Sequence, residues 1–158
     1  MKLPKKYVIV EIIPSHSNPK MGFIVQLQAL KVENDKIIGR LDLRIDESLI
    51  DNPDLLNMIN YDKEMFIYTK DKDYILEEFK KFIKKDQLLI IDNYYTIDYL
   101  KEIKNTKNSV FGYLGLEFSP RVFDELMEKY GLEPSNHLVD LLYEALIFAK
   151  NNWLLVIK

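Results

Sequence analysis

Three consecutive segments with the pattern of β-strands open this chain, and the first carries one carboxylate, Glu11, inside an apolar run. Residues 7–14 make the first segment, and residues 23–32 and 36–45 make the second and third. The last two alternate polar and apolar side chains, which indicates strands with two different faces. The third carries three charged residues on one face: Arg40, Asp42 and Arg44. Because only three residues separate the second segment from the third, a hairpin is expected there.

Helix and strand patterns alternate over the rest of the chain. The predicted elements are a helix capped by Asp73, a strand at 88–91, a helix at 96–103, a strand at 109–116, a helix at 121–130 and a last helix after Asn136. Strands first, followed by strands that alternate with helices, predict an α/β fold with a mixed sheet. The expected sheet starts with three antiparallel strands, continues with parallel strands and has helices on both faces. We expect residues 1–158 to form a single domain.

The composition limits the classes of function. A formal net charge of −3 argues against broad electrostatic binding to nucleic acid, which needs Lys and Arg to neutralise phosphates. The chain has no cysteine, which excludes disulfides and thiolate metal sites. It also has no apolar run near the ~20 residues that a membrane helix needs. We therefore expect a cytoplasmic protein without a membrane partner.

Three short motifs stand out along the chain: the strand at residues 24–32, the pair of Phe79 and Phe82 in a Phe-x-x-Phe spacing, and residues 88–100. They resemble the second strand, the Phe-x-x-Phe pair and the middle motif of the DnaQ-like 3′–5′ exonuclease family, which has a ribonuclease-H-like fold. The middle motif keeps an aspartate, Asp98, and the third motif keeps another, Asp140. The order of the elements is also similar along nearly the whole chain.

The first motif departs from the family. The family's first strand ends Asp-Ile-Glu-Thr, whereas residues 11–14 read Glu-Ile-Ile-Pro. The resemblance implies that Glu11, Asp98 and Asp140 remain from a four-carboxylate set that holds Mg²⁺ or Mn²⁺ in the family. Ile13 replaces the second carboxylate and cannot bind metal. Two-metal hydrolysis needs ions roughly 3.5–4 Å apart, so the resemblance predicts a scaffold with an altered metal site.

The third motif also lacks the family's general base. The base would sit at Ser135, and His137, three residues before Asp140, is the candidate replacement. Each of these residues also has a structural explanation: Glu11 can form an ion pair or lie in solvent, Asp98 and Asp140 can be surface carboxylates, and a lone histidine often has a structural role.

Two functions remain open at this point. The favoured one is a degenerate exonuclease-like domain that acts as a binding or interaction module, because both the second carboxylate and the general base are missing. The alternative is an active 3′–5′ exonuclease with an altered, single-metal site. The expected partners are the 3′ end of a single-stranded nucleic acid or a replication or repair protein. An unrelated α/β protein with chance similarity is the third possibility.

Overall fold

A computed structural model describes residues 4–58, 63–84, 86–91, 94–101, 110–114, 138–151 and 155–157. The strands are β1 (Lys6–Pro14), β2 (Ile24–Glu33), β3 (Lys36–Ile45), β4 (Ile67–Thr69), β5 (Gln87–Ile91), β6 (Val110–Leu114) and β7 (Leu155–Ile157). The α-helices are α1 (Pro53–Met58), α2 (Lys72–Ile83), α3 (Tyr94–Tyr99) and α4 (Leu138–Asn151). Two short 3₁₀ turns cover Glu47–Leu49 and Lys63–Met65.

The described strands form one seven-stranded sheet in the order β4-β3-β2-β1-β5-β6-β7. Strands β1, β2 and β3 pair antiparallel, as predicted. Strand β5 then pairs parallel with β1, and β6 pairs parallel with β5. The two edges are β4, parallel to β3, and β7, antiparallel to β6. The predicted α/β class, with antiparallel strands followed by parallel ones, is confirmed.

Helices cover both faces of the sheet, because alternate residues of β1 point in opposite directions. Val8, Val10 and Ile12 belong to a buried cluster with three residues of α2: Ile75, Phe79 and Ile83. Tyr7 and Ile9 belong to a second cluster with three residues of α4: Val139, Leu142 and Leu146. We call these two sides of the sheet the α2 face and the α4 face. The predicted placement of helices on both faces is therefore confirmed.

The connection between β2 and β3 is a tight turn that also contacts α4. Glu33 pairs with Lys36, and the two residues between them, Asn34 and Asp35, have φ angles of 50° and 59°. Two consecutive positive φ angles are typical of the turns that match the twist of a hairpin, and Asn and Asp tolerate them. The carbonyl oxygen of Asp35 accepts a hydrogen bond of 2.7 Å from the hydroxyl of Tyr143. Its carboxylate forms an ion pair with another residue of α4, Lys150.

Some boundaries differ from the sequence prediction. Helix α2 has Asp71 as its N-cap, since the Asp71 side chain accepts a hydrogen bond of 2.9 Å from the backbone N–H of Asp73. The predicted cap at Asp73 is wrong by two residues. Helix α3 likewise begins two residues earlier than predicted. Strands β4 and β7 were not predicted, because each has only three residues. The helix predicted over 121–130 lies outside the described residues.

Candidate functional site

Five polar side chains on β2 and β3 form a continuous group that we call the polar layer: Gln26, Gln28, Arg40, Asp42 and Arg44. Strand register places Gln26 opposite Arg44, Gln28 opposite Asp42, and Arg40 opposite Leu30. Because Leu30 belongs to the cluster under α4, the polar layer lies on the α4 face. All of its members except Arg40 are buried. Polar groups are costly to bury unless hydrogen bonds satisfy them, so their partners matter.

Arg40 joins two carboxylates that are 98 residues apart in the sequence, Asp42 and Asp140. Its Nη1 and Nη2 donate to the two oxygens of Asp140 at 2.8 and 2.7 Å. Its Nε donates to Oδ2 of Asp42 at 2.7 Å, and Nη2 is 3.3 Å from Oδ1. These bonds, above all the one to Asp140, raise the pKa of Arg40, so the guanidinium stays charged. Bidentate hydrogen bonds between a guanidinium and a carboxylate are strong, and they fix the relative orientation of the two side chains.

Gln28 fixes Asp42 from the other side. The Gln28 side-chain nitrogen donates to Oδ1 of Asp42 at 3.0 Å, and Gln28 is only 1 % exposed. The thioether sulfur of Met65 lies 3.8 Å from the Gln28 nitrogen and 3.9 Å from Nη2 of Arg40. The Asp42 carboxylate therefore accepts hydrogen bonds from the Gln28 amide and the Arg40 guanidinium, and the Met65 thioether contacts both of these donor groups.

Arg44 is the most buried charged residue in the described part of the chain, with 0 % exposure. Its Nε and Nη2 donate to the side-chain oxygen of Gln26 at 3.0 and 2.6 Å. Its guanidinium lies 3.9 Å from the centroid of the Phe66 ring, a favourable stacking arrangement. Its buried Nη1 has no hydrogen-bond partner, and burial lowers the pKa of Arg44. The hydrogen-bond donors of the Arg44 guanidinium are thus only partly satisfied.

Helix α4 places Asp140 at the edge of the polar layer. Asp140 lies in the first turn of α4, directly after Val139, which is fully buried against the sheet. One turn later is Glu144, whose Oε2 is buried without a hydrogen-bond partner. Burial, with a smaller effect from the charge of Asp140, raises the pKa of the Glu144 carboxyl. A second carboxylate therefore lies one helical turn from the Arg40–Asp140 ion pair.

The predicted site residues on β1 lie next to the polar layer. Glu11 pairs in register with Gln28, and Ile13 pairs with Gln26. Glu11 and Asp140 are thus both on the α4 face of the sheet. Ile13 is 5 % exposed and belongs to the large apolar cluster that also contains Tyr99. Ile13, which the resemblance places where a second carboxylate would be, is therefore part of the hydrophobic core.

Asp98 lies in a different environment. Its carboxylate forms an ion pair of 2.8 Å with Lys101, and the Asp98 side chain is 44 % exposed. It lines a cleft of about 410 Å³ together with residues of α2, among them Lys72 and Leu76. Helix α2 covers the face opposite to α4, so Asp98 borders the α2 side whereas Asp140 is bound on the α4 side. The predicted residues Ser135 and His137 lie outside the described residues.

The described residues contain no group of three or more His, Cys, Asp or Glu side chains that could hold a metal ion. Arg40 binds both Asp42 and Asp140. None of the helices in the described ranges is long and apolar enough to cross a membrane.

Sequence reasoning identified the charged face of β3 but not its importance. The alternation in residues 36–45 placed Arg40, Asp42 and Arg44 together, and the structure confirms this placement. Asp42 was not a candidate site residue, because it lies outside the motifs that carry the resemblance. Its burial to 8 % exposure depends on Gln28 and on α4, which the pattern of β3 alone cannot reveal.

Comparison with models of known protein families and with curated proteins gives no match for this chain.

Proposed function

We propose that this chain is a ribonuclease-H-like, exonuclease-like domain in which phosphodiester hydrolysis is impaired, and that it acts as a binding or interaction module. Support comes first from the central strands. Their order is β3-β2-β1-β5-β6, with three antiparallel strands followed by two that are parallel to β1. That is the strand arrangement which the resemblance implies.

The positions of two candidate carboxylates agree with the same proposal. Glu11 of β1 and Asp140 of α4 share one face of the sheet, as the first and last ligands of the family's site would. Asp98 borders the α2 side, so its assignment to the site rests on the resemblance alone.

The observation that carries the proposal of impaired hydrolysis is the binding of Asp140 by Arg40. Both oxygens of Asp140 accept hydrogen bonds from one guanidinium, at 2.8 and 2.7 Å. A two-metal mechanism needs free carboxylate oxygens to hold ions that contact the attacking and leaving oxygens of the phosphodiester. The residues present do not fit two metal ions, because Arg40 occupies Asp140 and the buried Ile13 offers no oxygen.

The binding partner that fits the resemblance is the 3′ end of a single-stranded nucleic acid, and a replication or repair protein is the second candidate. The net charge of −3 favours recognition of one strand end over wide contact with a duplex. Mg²⁺ or Mn²⁺ would be cofactors only if hydrolysis is retained.

The test measures hydrolysis and binding separately. Single-stranded DNA and RNA labelled at the 5′ end are incubated with the protein and Mg²⁺ or Mn²⁺, and Asp140→Asn and Asp98→Asn serve as matched controls. We expect the parent protein to degrade no more than either variant does. Binding to the same strands is measured by fluorescence anisotropy with EDTA present, and we expect it to be independent of metal.

One result would overturn the proposal, and another would exclude nucleic acid as the partner. Metal-dependent shortening from the 3′ end that is abolished by Asp98→Asn would establish the active exonuclease instead. Absence of both hydrolysis and strand binding would exclude the single-stranded nucleic acid and leave a protein as the partner. Affinity capture with a crosslinker attached to this protein would then have to identify that partner.

A further inference from the structure

We propose that Met65 is a site of reversible oxidation by hydrogen peroxide, and that the fold receives the oxygen of the resulting sulfoxide between two hydrogen-bond donors, Gln28 and Arg40. The reaction breaks the O–O bond of the peroxide and forms one S–O bond. The sulfur loses two electrons, and the other peroxide oxygen leaves as water. The proposal rests on the geometry of the polar layer and does not depend on the exonuclease-like function.

The first argument is that two nitrogen donors converge on the sulfur of Met65. Nε2 of Gln28 lies 3.8 Å from this sulfur, and Nη2 of Arg40 lies 3.9 Å from it. A thioether sulfur is only a weak acceptor. An oxygen bound to the sulfur and directed at the two nitrogens would shorten both contacts to about 2.7–3.2 Å, the usual range of N–H···O hydrogen bonds. The surroundings of Met65 therefore suit a sulfoxide better than a thioether.

The second argument is the second N–H of the Gln28 amide, which is buried with its side chain at 1 % exposure. A side-chain amide has two N–H donors. One acceptor of this group is Oδ1 of Asp42, at 3.0 Å. Within the described ranges, the only other acceptor near the Gln28 nitrogen is the Met65 sulfur. Because a buried N–H without a good acceptor is costly, an oxygen on this sulfur would stabilise the fold.

The third argument is access. Met65 is half-buried, at the end of the 3₁₀ turn Lys63–Met65, and the neighbouring Arg40 side chain is 30 % exposed. Peroxide can therefore reach the sulfur from solvent while the domain stays folded. Met21, in the loop between β1 and β2, is the natural reference because its side chain is 70 % exposed. Among the described residues, no hydrogen-bond donor contacts the sulfur of Met21.

The first experiment measures the stereochemistry of oxidation. A methionine sulfoxide exists as two epimers, and a different reductase restores each of them. The folded protein is treated with hydrogen peroxide and digested, and mass spectrometry then follows each methionine peptide after treatment with one reductase or the other. We expect a roughly fivefold excess of one epimer at Met65, because only one directs its oxygen at the two donors. Met21 should give nearly equal amounts, as should Met65 when the chain is oxidised in urea.

The second experiment measures stability before and after oxidation. In the Met21→Leu variant, oxidation should raise the Tm by about 2–4 °C through the new hydrogen bonds. Met65→Leu, treated in the same way, controls for the other methionines and should show no increase. Gln28→Leu removes one donor, so oxidation of this variant should lower its Tm.

A third comparison does not require oxidation. Met65→Gln places a side-chain oxygen where the sulfoxide oxygen would be, and it should have a Tm about 2–4 °C above that of Met65→Leu. Met21→Gln and Met21→Leu form the matched control pair and should not differ. This comparison decides the stability prediction if Gln28→Leu does not fold.

Equal amounts of the two epimers at Met65 would overturn the proposal, and so would a Tm that stays the same or falls when Met21→Leu is oxidised. A Met65 that remains a thioether under conditions that oxidise Met21 completely would contradict it as well. If Met65→Gln is no more stable than Met65→Leu, the two donors do not form a site for an oxygen.

Discussion

The hydroxyl oxygen of Tyr99 lies 2.7 Å from the position that a Cβ atom at Gly22 would occupy. The same hydroxyl donates a hydrogen bond of 2.5 Å to the carbonyl oxygen of His16, so it cannot turn away without losing a partner. Ser15 Oγ and His16 Cβ lie equally close to that Cβ position. Helix α3 is thus fixed against the loop between β1 and β2 at a distance that only glycine permits.

Gly22→Ala should therefore destabilise the protein by about 1–3 kcal/mol, because the added methyl group overpacks a tight contact. Urea unfolding monitored by circular dichroism measures the free energy. Gly39→Ala is the control, since its nearest neighbour, Lys31 Cβ, is 3.3 Å away and the next atom, on Phe82, is at 3.5 Å. An equal loss in both variants would show that the contact with Tyr99 is not the cause.

The start of α2 gives a second prediction. Asp71→Ala removes the side chain that caps the helix, and we expect a loss of about 1 kcal/mol in the free energy of unfolding. Asp73→Ala removes an exposed carboxylate of the first turn, and only a few tenths of a kcal/mol should be lost through its interaction with the helix dipole. Urea unfolding distinguishes the two, and a larger loss for Asp73→Ala would restore the cap position expected from the sequence.

Arg44, whose buried Nη1 has no hydrogen-bond partner, gives a third prediction. Arg44→Lys should destabilise the protein by more than ~2 kcal/mol, because lysine keeps a buried charge without the planar stack on Phe66 or the paired bonds to Gln26. Arg44→Met leaves Gln26 without its partner, and the double variant Gln26→Leu with Arg44→Met removes both polar groups. The double variant should be at least as stable as Arg44→Met alone in thermal unfolding. Strong additional destabilisation in the double variant would mean that the polar pair is needed for the fold.

Glu144 predicts a dependence of stability on pH. Burial raises the pKa of its carboxyl in the folded protein above the unfolded value. The contribution of the protonated Glu144 carboxyl to the stability of the fold is therefore complete below about pH 4. It is lost as the pH rises through the pKa of the folded state. Glu144→Gln should raise the Tm at pH 7 by about 2–4 °C, corresponding to roughly 1 kcal/mol, and should have no effect near pH 3.5.

The exposed Glu77 supplies the control for this pH dependence, because Glu77→Gln should leave the Tm unchanged at both pH values. A stabilising effect of Glu144→Gln that is equal at pH 7 and pH 3.5 would rule out titration of the Glu144 carboxyl as its source.

The parts of the fold that the sequence could predict are those with long, regular patterns. Strand β3 was predicted at its observed bounds, because ten residues of alternation specify both its length and its faces. Strands β4 and β7 could not be predicted, since three residues are too few to show a period. They form because a neighbouring strand in the sheet offers them hydrogen bonds.

The candidate site was harder to predict than the fold, because its geometry depends on contacts between distant residues. The sequence indicated Glu11 and Asp140, but it gave no sign that Arg40 binds Asp140 across 100 positions. An ion pair between residues so far apart in the chain leaves no local pattern in the sequence. It follows from the way α4 packs on the sheet, and apolar residues, including Val139 and Leu142, determine that packing.

The turn at Asn34 and Asp35 has a consequence for the order of folding. Its contacts to Tyr143 and Lys150 span 108 and 115 positions, so they can form only when a very large loop closes. The hairpin of β2 and β3, in contrast, closes across two residues. Because local contacts form before distant ones, the hairpin would be among the first structures to appear and would then provide the surface on which α4 docks late. Amide protons of α4 should accordingly exchange with solvent through smaller opening free energies than those of β2, so this helix would detach from the sheet more readily than the hairpin opens.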